Sequence, residues 1–291
     1  MKCTRCKNKA IISLKYLGQS LCRDCFIEFF ERRVRKSIAG ELKGVKKLAI
    51  GLSGGKDSSA MTYILSKIVH IPIFAITIDG GIKGYDDKLL ANTKKLAKKL
   101  GIKHYIFSIK EELGFSAAEF ARKRPGLCNC GVFKRYLLNK KARELGADKI
   151  AIGHNLDDTV QSIVMNEMRG DVDRIIRGEG ILKHKKFVQR LKPLQRSPED
   201  EVALYAKLVL GYNFSYECPY RKDFLRFHVK KMIDYLEKNH PGIKYQIYEG
   251  NEKIRNAMKR KKIGKPNECK LCGEICADDI CQVCEFKNEF K

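Results

Sequence analysis

The alternation of apolar and polar positions changes period several times along this chain. Residues 48–52, Leu-Ala-Ile-Gly-Leu, are continuously apolar, and the segments 71–78, 104–109 and 149–152 are similarly short and rich in apolar side chains. Each predicts a strand buried on both faces. Between them, Met61, Ile64, Leu65 and Ile68 return at three- and four-residue spacing, and comparable patterns predict helices over about 58–69, 86–100 and 133–145. An amphipathic helix beginning at Phe26 and ending near Gly40 precedes the first strand. Another helix starts after Gly153. Ser197-Pro198 with Glu199, Asp200 and Glu201 reads as a cap, a first-position proline and an acidic first turn, opening a helix that runs to Leu210. A further helix covers about 224–238. Strands alternating with helices in this order predict an α/β fold, a parallel Rossmann-like sheet covered on both faces. Ligands of such sheets lie beyond the carboxyl ends of the strands, so Ser53, Asp79 and Gly153 are expected to meet in one crevice.

The apolar run at 48–52 stops at Ser53-Gly54-Gly55, and a helical pattern begins at Asp57-Ser58. A strand, a tight glycine turn and a helix N-terminus leave several backbone N–H groups at the positive end of the helix dipole, a ready anion site. Adjacent glycines remove the Cβ atoms that would keep a phosphate away. A Walker A loop needs Ser or Thr directly after Gly-Lys, and here Asp57 follows Lys56. Ser53-Gly54-Gly55-Lys56-Asp57-Ser58 instead resembles the PP-loop of the ATP pyrophosphatase superfamily, whose members hold the pyrophosphate of ATP and transfer AMP to a carbonyl oxygen. The loop alone names no acceptor.

Charge narrows the acceptor. With 59 Lys and Arg against 34 Asp and Glu, the formal charge is +25, which supports binding to nucleic acid by counterion release. A lysine-rich genome would leave the same mark. The densest basic run, Lys253, Arg255, Lys259, Arg260, Lys261, Lys262 and Lys265, reads equally as an RNA contact or a solvated linker. With no long apolar span and no signal peptide, a cytoplasmic location without membrane association is expected.

In a reducing compartment the twelve cysteines point to metal rather than disulfides. Cys3, Cys6, Cys22 and Cys25 are spaced C-x2-C-x15-C-x2-C, and Cys269, Cys272, Cys281 and Cys284 are spaced C-x2-C-x8-C-x2-C. Each quartet predicts a tetrahedral, structural Zn2+ site, and Cys276 is left without a role. The expected organisation is a zinc module over 1–28, an ATP-binding domain with a helical extension over 29–252, and a basic linker with a second zinc module over 253–291. Elsewhere, Asp157 and Asp158 fall in the first turn of a helix. One is expected to cap it, and an adjacent pair also suits Mg2+ binding or proton handling. Cys128 and Cys130 beside Gly131, with the distant Cys218, are compatible with three ligands of a [4Fe–4S] cluster, with a redox pair or with unrelated buried thiols.

Taken in order, these features resemble the tRNA 2-thiolation branch of the PP-loop superfamily over nearly the whole chain. They are the two four-cysteine modules, Ser53 to Ser58, Cys130-Gly131-x-x-Lys134-Arg135, Gly153-His154-Asn155-x-Asp157-Asp158, Lys192-Pro193-Leu194 and Cys218-Pro219-Tyr220. The branch includes the archaeal and cytoplasmic wobble-uridine thiolases and the enzyme that thiolates the T-loop ribothymidine. The resemblance implies a [4Fe–4S] cluster on Cys128, Cys130 and Cys218, whose unique iron takes hydrosulfide. It implies adenylation of O2 of a tRNA uridine, sulfur attack at C2 and departure of AMP. Lys134 and Asp158, with Cys130 and Cys218, match catalytic positions. Ser53, Gly54, Gly55, Asp57, Ser58, Ser59, Asp79, Gly153 and Asp158 match the nucleotide contacts, with Mg2+ accompanying ATP. The implied partners are tRNA and a sulfur donor, either sulfide or a ubiquitin-like thiocarboxylate carrier, with a homodimer as a further expectation.

One departure concerns the cluster. The family has C-x-x-C before the glycine and this chain has C-x-C, so Cys130 aligns through Gly131, Lys134 and Arg135 while Cys128 is displaced. Residues two apart in an extended segment point the same way, which keeps a shared cluster feasible. Met165-Asn166, Arg169-Gly170-Asp171 and Gly131-Val132-Phe133 resemble the wobble-uridine members more than the T-loop ones. Two other readings fit parts of the chain. A PP-loop ligase delivering an amine would not need the three cysteines. A non-catalytic zinc-ribbon RNA-binding protein gives no reason for Lys134 and Asp158 to accompany an intact loop.

Overall fold

The first cysteine quartet brackets a hairpin of β1 (Ile12–Leu14) and β2 (Gln19–Leu21), paired antiparallel. The computed structural model describes residues 1–124, 130–177, 184–211, 216–220, 225–258 and 267–290. After α1 (Arg23–Ser37), β3 (Leu48–Gly51), α2 (Lys56–Ile68), β4 (Ile73–Asp79), α3 (Asp86–Leu100) and β5 (Lys103–Ser108) alternate strictly. Two short helices, α4 (Ile109–Leu113) and α5 (Ala117–Lys123), lead to the long α6 (Cys130–Glu144). β6 (Lys149–Ala151), α7 (Leu156–Met168), α8 (Val172–Arg177), β7 (Gln189–Leu191) and α9 (Glu199–Leu210) follow. Two more helices, α10 (Leu225–Asn239) and α11 (Ile243–Ala257), precede β8 (Asn267–Glu268), β9 (Ile275–Cys276) and α12 (Gln282–Asn288).

The five central strands form one parallel sheet in the order β5-β4-β3-β6-β7. From β3 the chain winds outward to β4 and β5, then returns to the other side of β3 for β6 and β7. The reversal between β3 and β6 is a topological switch point, and it opens a crevice at the carboxyl ends of those two strands. The fold expected from the pattern is present, with additions beyond the short elements α4, α5, α8, β8, β9 and α12. The pattern does not predict β7: three residues with Arg190 at the centre carry no two-faced apolar signal. Nor does it predict α11, where the basic linker is expected to begin at Lys253. Lys253 and Arg255 instead lie on α11, which packs Tyr248 with Leu156, Val160 and Ile163 of α7 and with Val229 and Ile233 of α10. The other basic positions, Lys259, Arg260, Lys261, Lys262 and Lys265, lie outside the described residues.

The pleat of β3 assigns its side chains to two cores. Leu48 and Ile50 face Phe26 and Phe30 of α1, Met61 and Leu65 of α2, and Val202 and Tyr205 of α9. Ala49 faces the other way, with Phe74 and Ile76 of β4 and Phe133 and Leu137 of α6. Each cysteine quartet joins one of these cores. Cys3 and Cys22 belong to the first, and Cys269, Cys281 and Cys284 to the second. On the second face Phe290 stacks on Phe115 with centroids 4.4 Å apart, and Phe286 meets Phe120 edge-on at 4.9 Å. Such ring pairs add about 0.5–1.5 kcal/mol each beyond the area they bury. On the first face, Glu201 of α9 is almost fully buried. It takes Arg33 of α1 at 2.8 Å and the Tyr16 hydroxyl of the hairpin at 2.7 Å. The ion pair ties α1 to α9, and the Tyr16 bond fastens the N-terminal hairpin to the same carboxylate.

Candidate active site

The turn after β3 is held by its own serines. The Ser53 N–H donates to Ser58 Oγ at 3.1 Å, the two hydroxyls lie 2.9 Å apart, and Ser58 Oγ donates to the Gly55 carbonyl at 3.2 Å. The two glycines do different work. Gly54 has φ +83°, and a Cβ there would lie 2.2 Å from the Leu89 carbonyl oxygen of α3. Gly55 is the N-cap of α2, and a Cβ there would meet nothing nearer than Ser53 Oγ at 3.8 Å. Gly54 therefore admits α3, and only Gly55 leaves its face open. Gly153, just past β6, lets that chain lie on the start of α2, since its Cβ would come within 2.9 Å of the Ser58 nitrogen.

A cavity of about 260 Å3 opens at this switch point, lined by Ser53, Gly55, Asp57, Ser58, Gly153 and His154 on one side and by Lys134, Arg135 and Arg190 on the other. Four residues expected at the nucleotide, Gly54, Ser59, Asp79 and Asp158, are not part of its wall. Gly54 is covered by α3. Ser59 is fully buried inside α2 with its hydroxyl unbonded among the described residues. Asp79, at the end of β4, accepts the Gly81 N–H at 2.9 Å. Asp57 is held by Asn155 Nδ2 at 3.0 Å and by Lys56 Nζ at 3.0 Å, and burial pushes its carboxyl upward against their pull.

The two acids at the start of α7 separate cleanly. Asp157 accepts the Glu199 N–H at 2.7 Å and the buried Lys244 ammonium, which binds α7 to α9 and α11. Asp158 completes a capping box with Asn155: Asn155 Oδ1 accepts the Asp158 N–H at 2.9 Å, and Asp158 Oδ2 accepts the Asn155 N–H at 3.3 Å. Its Oδ1 also lies 3.4 Å from Arg226. The expected acidic pair is thus one structural carboxylate and one behind the cavity wall, whose charge is felt by the lining residues Asp57 and His154.

Opposite the loop the wall is cationic. Lys134 leans on Asp86 at 3.5 Å across Gly80, where a Cβ would crowd both side chains. Burial lowers Arg135 below the usual arginine range, and Arg226 and Arg174 add to the shift. Arg190 is lowered by burial and by Arg135. Burial, reinforced by Lys192, holds His154 down to about 4, so its imidazole is neutral at pH 7. Cations that depress one another around a cavity mark an anion site. Arg190 is not legible in the sequence because β7 is not. Its only signal is its place two residues before the Lys192-Pro193-Leu194 string.

Cys130 is the first residue of α6, one turn before Lys134. Its thiolate interacts with Arg135, whose guanidinium would lie 3.2 Å from a Cβ on Gly131. Cys130 and Cys218 are both half-buried and border the core around Phe133. Cys130 stands beside the cationic wall, and soft sulfur ligands such as Cys130 and Cys218 suit an iron–sulfur group. Cys128 lies outside the described residues. In the terminal modules, the four sulfurs of each quartet lie within 4.8 Å of one another, Cys3, Cys6, Cys22 and Cys25 in one and Cys269, Cys272, Cys281 and Cys284 in the other. Tetrahedral zinc at about 2.3 Å from each sulfur fits that spacing. The backbone agrees: the Arg5 N–H reaches Cys3 Sγ at 3.5 Å and the Cys281 N–H reaches Cys269 Sγ at 3.3 Å. Among the described residues, no helix is long and apolar enough to cross a membrane.

Comparison with known proteins places these features. A PP-loop domain profile matches residues 27–233, and a profile for the N-terminal LIM domain of the 2-thiouridine synthetase TtuA matches residues 2–27. The tRNA 2-thiolation protein NcsA of Haloferax volcanii is 35% identical over 98% of this chain and 98% of that protein. The tRNA-5-methyluridine(54) 2-sulfurtransferase of Pyrococcus horikoshii is 35% identical over 98% and 93% respectively. Among solved structures, the U34-tRNA thiolase NcsA from Methanococcus maripaludis, with its [4Fe–4S] cluster, shares 38% identity and a TM-score of 0.87 across 99% of this chain and 96% of that one.

Proposed function

We propose, from the premise that this chain belongs to the PP-loop family of tRNA 2-thiolation proteins, that it is an ATP-dependent tRNA sulfurtransferase acting on the wobble uridine. One observation carries the reading: Lys134 and Arg135, one turn along α6 from Cys130, line the same cavity as the loop at Ser53 to Ser58. The loop's N–H groups and the dipole of α2 receive the pyrophosphate of ATP, and Gly55 leaves the approach open. Lys134, Arg135 and Arg190 face the phosphates from across the cavity. Uridine O2 attacks the α-phosphorus, a new P–O bond forms, and the bond to pyrophosphate breaks. Lys134 balances the charge that builds on the α-phosphate. Sulfur then attacks C2, the C2–O bond breaks and AMP leaves. Asp158, the acid of the pair whose charge reaches Asp57 and His154 in the cavity wall, handles the uridine N3 proton or a Mg2+ ion on the phosphates. A [4Fe–4S] cluster on Cys128, Cys130 and Cys218, when bound, supplies an iron at which sulfur is carried.

The structure of the U34-tRNA thiolase supports the wobble position, as do Met165-Asn166 and Arg169-Gly170-Asp171. The T-loop alternative rests on the equally similar P. horikoshii sulfurtransferase. A cytoplasmic location and either sulfide or a thiocarboxylate carrier as donor complete the reading. In an anaerobic assay with ATP, sulfide and tRNA, the protein should form one 2-thiouridine per tRNA, mapped to the wobble position. Lys134→Ala should lower kcat by about 10²–10³-fold, the usual loss when one charge-stabilising group is removed. Cys130→Ser and Cys218→Ser should keep ATP binding and lose thiolation. Wild-type thiolation rates in both cysteine variants would overturn the reading.

A further inference from the structure

A second cavity, of about 320 Å3, lies between α7, α8, α10 and α11. Met165, Asn166, Arg169 and Lys192, from strings already singled out in the sequence, are part of its lining. Its lining holds five cations, Arg169, Arg174, Lys192, Arg226 and Arg255, against one carboxylate, Glu252. Concentrating like charges in a concavity is unfavourable unless an anion enters it. Two details show the imbalance. Burial lowers Lys192 to about 8, and Arg255 and Arg226 add to that shift against the opposing pull of Asp158. Arg255 pairs with Glu252 through Nη1, yet its buried Nε has no acceptor among the described residues.

Lys192 and Arg226 link the cavity to the ATP crevice, both acting on His154 in its wall. Arg226 lines the cavity, donates to Ser162 Oγ at 3.0 Å, and lies 3.4 Å from Asp158 Oδ1. An anion held here would therefore sit one arginine away from the Asp158 carboxylate. Arg135, on the crevice wall, feels Arg226 and Arg174 as well. Enclosure by four helices suits a splayed single strand and excludes an A-form duplex, whose phosphates lie on a broad outer surface.

We propose that this cavity holds backbone phosphates of the RNA strand flanking the target uridine, with Arg169, Arg174 and Arg255 as the phosphate contacts. Arg226 links that grip to Asp158, so that a seated strand orients the crevice. The proposal rests on the reading of the chain as a tRNA sulfurtransferase. Orthophosphate or a second ATP could supply the same chemistry, and the test separates these sources.

Arg169 and Arg174 are exposed, so Arg169→Gln and Arg174→Gln should fold normally, and Arg255→Lys keeps charge at the buried position. Affinity for a stem-loop RNA carrying the target uridine would be measured from about 50 to about 300 mM salt (about sixfold in concentration, enough to resolve a slope change), alongside ATP affinity. Each Gln variant should weaken RNA binding, and the slope of log K against log salt should fall by about 0.7 for every phosphate left unneutralised. Arg255→Lys should keep the slope, and ATP affinity should stay at the wild-type value in all three. Replacing the flanking phosphates with methylphosphonates should weaken wild-type binding but cost the Arg169→Gln/Arg174→Gln protein little more. If the wild-type protein binds RNA and both Gln variants match it in affinity and slope, the cavity proposal fails and the sulfurtransferase reading stands. If the Gln variants lose ATP affinity, or orthophosphate at low millimolar concentration displaces the RNA, the cavity serves a free phosphate and the proposal is overturned. If the wild-type protein binds no tRNA, the sulfurtransferase reading falls first.

Discussion

Gly54 and Gly55 are adjacent and chemically identical, yet they answer to different constraints. At position 54 the backbone needs φ +83°, and any Cβ would strike the Leu89 carbonyl. Gly54→Ala should cost about 3–5 kcal/mol of stability, because strain and a backbone clash act together. At position 55 a Cβ meets open space, so Gly55→Ala should leave the denaturant midpoint nearly unchanged and weaken ATP binding instead. Equal losses of stability in the two variants would contradict this division. His154 gives a second test at this scale. Above its ordinary pKa of 6.5 the imidazole is neutral whether the chain is folded or not; between 6.5 and about 4 only the unfolded chain takes the proton. Stability should therefore fall as pH drops through that window. His154→Asn should flatten the decline, and the folded-state imidazole should titrate near pH 4 by NMR.

At the scale of elements, the start of α9 shows how local chemistry can be overruled. Ser197-Pro198 followed by three acids has every mark of a serine cap. In the structure Pro198 is the cap residue with no side-chain bond, and Ser197 is fully buried with its hydroxyl unbonded among the described residues. The Glu199 N–H goes to Asp157, which is distant in sequence. Ser197→Ala should accordingly change stability by less than about 0.5 kcal/mol, whereas a lost serine cap would cost about 1 kcal/mol. Asp157→Ala should cost about 1–3 kcal/mol, since it leaves the Glu199 N–H without its acceptor and Lys244 with Asp234 as its remaining carboxylate. Elements with a strong periodic signal are legible from the chain: α3, with Gly101 at its end, falls at 86–100 as expected. β7 and α11 are not. A three-residue strand with a central arginine has no usable period, and the lysines of α11 obscure the apolar face it turns to α7.

At the scale of the molecule, both metal modules are built into the cores on either face of the sheet. Cys269, Cys281 and Cys284 share a core with Phe133 of α6, the helix that carries Cys130 and Lys134. Zinc removal should therefore lower the temperature of one cooperative unfolding transition rather than release a tail, and the amides of α6 should lose hydrogen-exchange protection. A chelator that leaves α6 protected would show the modules to be independent. The two cavities are also properties of the whole. One forms where β3 and β6 diverge, the other where α7, α8, α10 and α11 meet.

By itself the sequence determined what nearest neighbours and spacing can determine. It set the strand–turn–helix at Ser53 to Ser58, the strand and helix order, and the two cysteine quartets, because each is written in a contiguous stretch or a regular repeat. Only the tertiary structure decided which of two adjacent glycines faces the nucleotide cavity, and which of two adjacent aspartates is spent on holding helices together. It alone brought Arg190 into the cavity wall opposite the loop and Arg226 to Asp158. Those outcomes depend on neighbours from other segments of the chain, whose burial and charge no local pattern encodes.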